Sequence, residues 1–314
     1  MRWQRVLITS ATIFAACASL RAGEASGGPG GTGSGSNETT LTIGRSKSGL
    51  PWPEPDATAT EKLTAELKAD LPDFFITRIG PWIVATDMEK SEAPRFTEYT
   101  IGKYAADIQR QLFTGTPRTE PVKVLLFKDK LSYETWNKTL YGSKPTTPYG
   151  YYSRHHKALV MNIATGGGTL LHEMVHAMAE ADYNDIPAWL NEGLGSLYEA
   201  SSRGRGNRVI GITNWRLNGL LESLKAGTAT KFKDLIGMSD EKFYGERSGQ
   251  NYASARYLMQ YLQQNGKLET FYTRVRDKKD ADAQASLRAV FDDKLSIEQI
   301  EAACYEWVKT LVAN

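Results

Sequence analysis

His172, Glu173 and His176 lie in the run His-Glu-Met-Val-His, the spacing in which two imidazoles bind zinc and the carboxylate between them serves as a base. On a helix, residues four apart stand one above the other on the same face, so both rings can reach one ion. Glu173, three positions before His176, falls on the border of that face. A carboxylate there can take a proton from a metal-activated water without itself being a ligand. Leu170, Leu171, Met174, Val175, Ala177, Met178 and Ala179 make the segment apolar almost all round, which predicts burial. An unpaired buried polar group costs about 1–3 kcal/mol, so three idle ones in such a helix would be a serious fault. A Zn²⁺ ion with its water would satisfy all three.

A second segment supplies what the first lacks. Pro187 to Glu199 reads as another helix, with Pro187 in its first turn and Leu190, Leu194 and Leu197 forming an apolar stripe. Trp189, Glu192, Ser196 and Glu199 fall on the other face. Only Asp182 to Ile186 separates the two helices, which predicts an antiparallel hairpin. His176 stands five residues before that turn and Glu192 about five after it, so at 1.5 Å per residue both lie ~8 Å from it. The Glu192 carboxylate then comes level with the histidines as a third ligand. Glycine inside a helix costs about 1 kcal/mol relative to alanine, so Gly193 and Gly195 argue for close approach of the two helices. Glu199, on the Glu192 face, could accept a hydrogen bond from a ligand imidazole and fix its tautomer, or could be an exposed acid.

These two segments, His172-Glu173-Met174-Val175-His176 and Trp189-Leu190-Asn191-Glu192-Gly193-Leu194, resemble the gluzincin group of zinc metallopeptidases, most closely the peptidase-MA-like proteins of bacterial envelopes. The resemblance runs over roughly residues 74 to 310. It implies a zincin-like fold, zinc held by His172, His176 and Glu192, and Glu173 as general base. Two departures stand out. The family often has alanine where Gly195 stands, and the resemblance does not assign the tyrosine or histidine that stabilises the oxyanion in better-known gluzincins.

The elements that must position these residues are readable in outline. Trp82 to Thr86 and Val122 to Phe127 read as buried strands, with an amphipathic helix between them marked by Phe96, Tyr104, Ile108 and Leu112. Leu159 to Ile163 is a third strand, entering the metal helix through Gly166-Gly167-Gly168. That order predicts an edge strand beside the ion, to which an extended peptide could pair. The triple glycine lacks a following Lys-Ser/Thr signature, so it reads as a turn rather than a phosphate cradle. Beyond residue 200 the pattern is helical: Leu217, Leu220, Leu221 and Leu224; then Tyr252, Ala255, Met259 and Leu262; then a helix around Cys304. The fold class is therefore α+β, a small mixed sheet carrying the active-site helix (57–181) and a helical lobe (182–314) forming the far wall of the cleft.

Ahead of this domain, residues 1–22 read as an export signal: Arg2 and Arg5, an uncharged run from Val6 to Leu20, then Arg21. Ala16-Cys17-Ala18 fits a cleavage site, while Phe14-Ala15-Ala16-Cys17 resembles a lipobox, so the chain is expected to be secreted or held in a bacterial envelope by a lipid on Cys17. Six glycines within Ser26 to Ser36 and polar, proline-containing sequence to Asp56 make 23–56 a flexible linker. With 314 residues, 41% of them hydrophobic, the chain can bury a core of one domain with two lobes, or of two small domains. A net charge of +2 provides no basic field for nucleic acid. Cys304 has no partner once Cys17 is cleaved or lipidated, and its apolar neighbours at helical spacing make it a core residue.

Tyr252 is a candidate for oxyanion stabilisation, against the plainer reading of a packed tyrosine. His155 and His156, beside Arg154 and Lys157, read as a solvated strand entry. Taken together, the residues predict a zinc-dependent metallopeptidase acting on a peptide or protein. The alternatives are a zinc hydrolase of a non-peptide bond and an inactive envelope binding module with a structural metal site. An intact Glu173 weighs against the last.

Overall fold

The computed structural model describes residues 49–312. The expected export signal, Cys17 and the glycine-rich run lie outside those residues. Helix α1 (Ala57–Asp70) starts where the Asp56 side chain accepts from the Ala59 amide and leads to strands β1 (Phe75–Ile79) and β2 (Trp82–Thr86). Next come α2 (Ala93–Thr97), a wide-turned segment Glu98–Ala105, α3 (Ala106–Gln111), β3 (Val122–Phe127) and α4 (Lys130–Tyr141). Strands β4 (Gly150–Ser153) and β5 (Ala158–Asn162) complete a five-stranded mixed sheet of order β1-β2-β3-β5-β4. Strands β2, β3 and β5 are parallel, and β1 and β4 run antiparallel at the two edges.

The central strands are predominantly apolar because both faces of the sheet are covered. Ile83, Ala85, Leu125, Phe127 and Val160 pack with Leu67 of α1, with Leu71 just beyond it and with Tyr133 of α4. On the opposite face Trp82, Val84, Val124, Leu126, Leu159 and Met161 share one core with Ile101, Ile108 and the whole helical region. The protein is α+β, as the order of its periodicities predicts.

Two boundaries differ from the sequence reading. Trp52, assigned by composition to the flexible linker, is buried edge-on against Trp82 and donates its indole N–H to Gln109 Oε1 (3.0 Å), so the folded part begins before residue 57. The third strand is not at the edge, because β4 pairs outside it. Arg154 to Lys157, with Lys157 at φ 45°, turns the chain back and closes a β-hairpin. The exposed His155 and His156 belong to that turn; they meet edge-on, and His156 lies tilted against Tyr141.

Helices α5 (Gly167–Asp182) and α6 (Ala188–Glu199) follow as the antiparallel pair, α5 lying between the sheet and α6. Strands β6 (Ser201–Arg203) and β7 (Val209–Gly211) form a small hairpin. The remainder is helical: α7 (Arg216–Lys225), α8 (Phe232–Leu235), α9 (Asp240–Phe243), α10 (Ser248–Gln264), α11 (Leu268–Arg276), α12 (Ala283–Ala289) and α13 (Ile297–Lys309). Helix α10 covers the far side of α6, which is why Trp189 and Ser196, on its polar face by pattern, are as buried as its leucines. A Cβ on Gly193 would lie 3.1 Å from the Ala255 carbonyl oxygen, so this glycine serves the contact with α10 rather than with α5. Cys304 is buried in α13, and burial raises its thiol pKa. Among the described residues, no helix is long and apolar enough to cross a membrane.

The open end of the hairpin is closed by backbone contact. A Cβ on Gly168 would stand 2.1 Å from the carbonyl oxygen of Glu199, an atom that cannot swing aside. Gly168→Ala is therefore expected to destabilise the protein by about 1–3 kcal/mol or more. Gly219→Ala, in α7 with nothing within 4 Å of the added methyl, should stabilise it by about 0.5–1 kcal/mol. Thermal or urea unfolding of the two variants should show shifts of opposite sign.

Candidate metal centre

Helix α5 carries His172 and His176 on one face, with ring centroids 4.8 Å apart and planes nearly perpendicular at 86°. The antiparallel return of α6 brings Glu192, 8% exposed, against both rings. Its Oε2 lies 3.2 Å from His172 Nε2 and 3.5 Å from His176 Nε2. Nitrogen and oxygen donors held ~2.0–2.2 Å from a tetrahedral zinc are about 3.3–3.5 Å apart. The three donors match a divalent ion in type as well, two nitrogens and one hard oxygen. One ligand atom from each of His172, Glu173 and His176 also lies within 4.8 Å of the others, so Glu173 borders the same space.

The other nitrogen of each ring faces an acceptor. His172 Nδ1 is 3.0 Å from Glu199 Oε2, and His176 Nδ1 is 2.9 Å from Asn191 Oδ1. With the Nδ1 protons donated to these oxygens, both Nε2 lone pairs are turned toward Glu192, the tautomer a metal ligand needs. Glu199 is held in turn by Arg216, whose Nη1 ion-pairs with its Oε1, and by Asn214 Nδ2 at 2.8 Å. Gly195 completes the fit. A Cβ there would be 3.0 Å from His172 Cε1 and Nε2, so the ring rests on bare backbone where alanine would press on it.

Charge follows from this packing. Burial opposes the His172 charge, but the Glu192 and Glu199 carboxylates outweigh it and lift the pKa to about 10. For His176, burial is likewise overcome by Glu192. Burial also works against ionised Glu192, yet the two imidazoles hold its carboxyl well below the ordinary range. Without a metal, protons on the histidines thus play the part of the cation. Glu173 goes the other way: burial raises its pKa, and its Oε2 accepts from the backbone N–H of Tyr152 on β4 at 2.9 Å. A carboxylate so placed can exchange protons at pH values closer to neutral than an exposed one.

Two further residues line this side. Tyr244, just after α9, donates its hydroxyl to Glu192 Oε1 at 2.7 Å. Tyr252 packs on Phe243 and Tyr244, at 5.1 and 6.3 Å between centroids, with the Arg216 guanidinium 5.4 Å from its ring. Burial, and then the Glu192 charge, raise its hydroxyl pKa. The sequence reading included Tyr252 and passed over Tyr244, Asn191 and Arg216. Asn191 is adjacent to Glu192 and nearly level with His176 across the turn, which is a usable signal; Tyr244 and Arg216 follow short or irregular segments that carry none.

The residues from Gly167, the first of α5, through 295 match the profile of a family described as a protein of unknown function (DUF1570). The match spans His172, His176, Glu192, Glu199, Tyr244 and Tyr252. No curated protein matches the chain. The likeness to gluzincins accordingly rests on the residues themselves, and the cluster is a site able to hold a metal ion.

Glu199 provides a test of the electrostatics. Burial opposes its charge, but Arg216 and His172 depress its pKa to about 2 from 4.5. A carboxyl with a depressed folded pKa contributes stability above its unfolded value and loses it as pH falls toward the folded one. Chelator-treated wild type should therefore lose roughly 2–3 kcal/mol through this group between about pH 5 and 2. Urea unfolding across that range should show a flatter profile for Glu199→Gln.

Proposed function

We propose that the protein is a zinc-dependent metallopeptidase in which His172, His176 and Glu192 hold the ion and Glu173 is the general base. The observation that carries this reading is the approach of Glu192 Oε2 to both Nε2 atoms, 3.2 and 3.5 Å, with a second carboxylate, Glu173, bordering the same space and bonded elsewhere. When bound, the ion would polarise a carbonyl and make water acidic enough to act as a nucleophile near neutral pH. Glu173 would accept the proton of the attacking water and return it to the leaving amine, helped by the burial that raises its pKa. Glu199 and Asn191 hold the imidazole tautomers. Tyr252, beside Glu192 on the helical wall, is the proposed oxyanion donor.

A peptide is favoured as substrate by the position of β4. It is the outer strand on the α5 side of the sheet, and its Tyr152 N–H reaches Glu173. A chain extended along that edge would lie next to the base. Export to the envelope, by free secretion or through a lipid on Cys17, belongs to the same proposal, resting on residues 1–22.

Metal analysis and cleavage profiling of a peptide library test the reading together. The purified protein should contain zinc, and a chelator should abolish cleavage until zinc is restored. Glu173→Gln should retain the metal and lose about 10²–10⁴-fold in turnover. Unchanged turnover in that variant would exclude the base assignment, and cleavage that survives complete metal removal would exclude the mechanism.

A further inference from the structure

We infer that Tyr244 is a positioning residue that confines Glu192 to a single metal-facing oxygen; the inference rests on the metal-site reading above. A carboxylate has two equivalent oxygens and about four lone-pair directions, so nothing intrinsic to Glu192 decides whether one or both turn to an ion. Here the two are in different surroundings. Oε2 faces both imidazole nitrogens, while Oε1 accepts from the Tyr244 hydroxyl at 2.7 Å.

The phenol is itself held in place. Helix α9 is tied to α6 at two points one turn apart on each: Asp240 Oδ1 accepts from the Ala188 backbone N–H at 3.2 Å, and Tyr244 reaches Glu192 four residues on. Between the ties, Phe243 is fully buried and meets the Tyr244 ring edge-on at 5.3 Å. Ser239 caps this short helix by accepting from the Lys242 amide, and Tyr252 flanks the phenol from α10. The hydroxyl is thus aimed at Oε1 from three sides. With Oε1 engaged, the protein offers an ion two nitrogens and one oxygen, and a coordination position is kept for water or substrate. Removing the hydroxyl would take away the bond that turns Oε1 away from the imidazoles, leaving Tyr252 as the remaining phenol beside Glu192.

Cobalt(II) reports this without any substrate. Chelator-stripped wild type titrated with Co²⁺ should give the intense visible absorption of a four-coordinate centre. Tyr244→Phe keeps the ring and loses only the hydroxyl, and its Co²⁺ bands should weaken as coordination number rises. Because partners behind a ligand typically account for 10–100-fold in metal affinity, Co²⁺ binding measured by chelator competition should loosen about 10-fold. Asp240→Ala, which cuts the other tie and leaves the phenol intact, should move the spectrum in the same direction by less. A Tyr244→Phe spectrum and affinity equal to wild type would overturn the inference alone. Wild type that takes up no Co²⁺ would overturn the metal reading on which it depends.

Discussion

A buried carboxylate oxygen set between two imidazole nitrogens is the constraint around which the rest of this protein is arranged. Glu192 is almost inaccessible to water and ionised, a state that costs several kcal/mol unless the charge is met at close range. Two histidines one helical turn apart meet it, and they can do so with protons or with a shared cation. Each histidine is oriented from behind, by Glu199 and Asn191, and Glu199 is matched in turn by Arg216. The polar groups form a chain with partners at each step, as a polar network inside an apolar core requires.

The apolar scaffold explains why such a chain can be held in register. Helix α6 is buried all round, gripped by α5 on one side and α10 on the other, so Glu192 cannot drift outward. Residues too small to fill space are placed where helices must come close: Gly195 beneath the His172 ring, Gly193 against α10 and Gly168 against the end of α6. The sheet contributes through β4, whose backbone rather than whose side chains reaches Glu173. Glu173 and the His172–His176–Glu192 cluster therefore have separate hydrogen-bonding supports, one from the strand edge and one from the helices.

The hairpin could be read from the sequence because helical spacing acts over short range: His172, His176 and Glu192 needed only the pitch of a helix and the length of one turn. Buried strands β2 and β3 were equally plain, being short runs dominated by apolar and β-branched residues. Strand β4 was missed because four residues, Gly150 to Ser153, are too few for a period, and what makes them a strand is pairing with β5. Trp52 escaped because a composition rich in proline and small residues hides a single anchoring side chain, whose burial depends on Trp82 far along the chain. Tyr244 and Arg216 were out of reach for the same reason, since their partners are set by the packing of α9 on α6 and of α7 on α10. Local periodicity brought His172, His176 and Glu192 to one place; the groups that orient them are tertiary.

The contact between Gly168 and the Glu199 carbonyl bears on how the protein can move. It fastens the two antiparallel rods at the end away from their connecting loop, while Asp182 to Pro187 fastens them at the other. Splaying the rods would require both ends to yield, so the His172–Glu192 separation is insulated from breathing of the whole molecule. Any widening that admits a bulky molecule must come from the parts resting on this clamp, the β4 edge on one flank and the α7 and α9 region on the other, with the clamp itself acting as the fixed jaw.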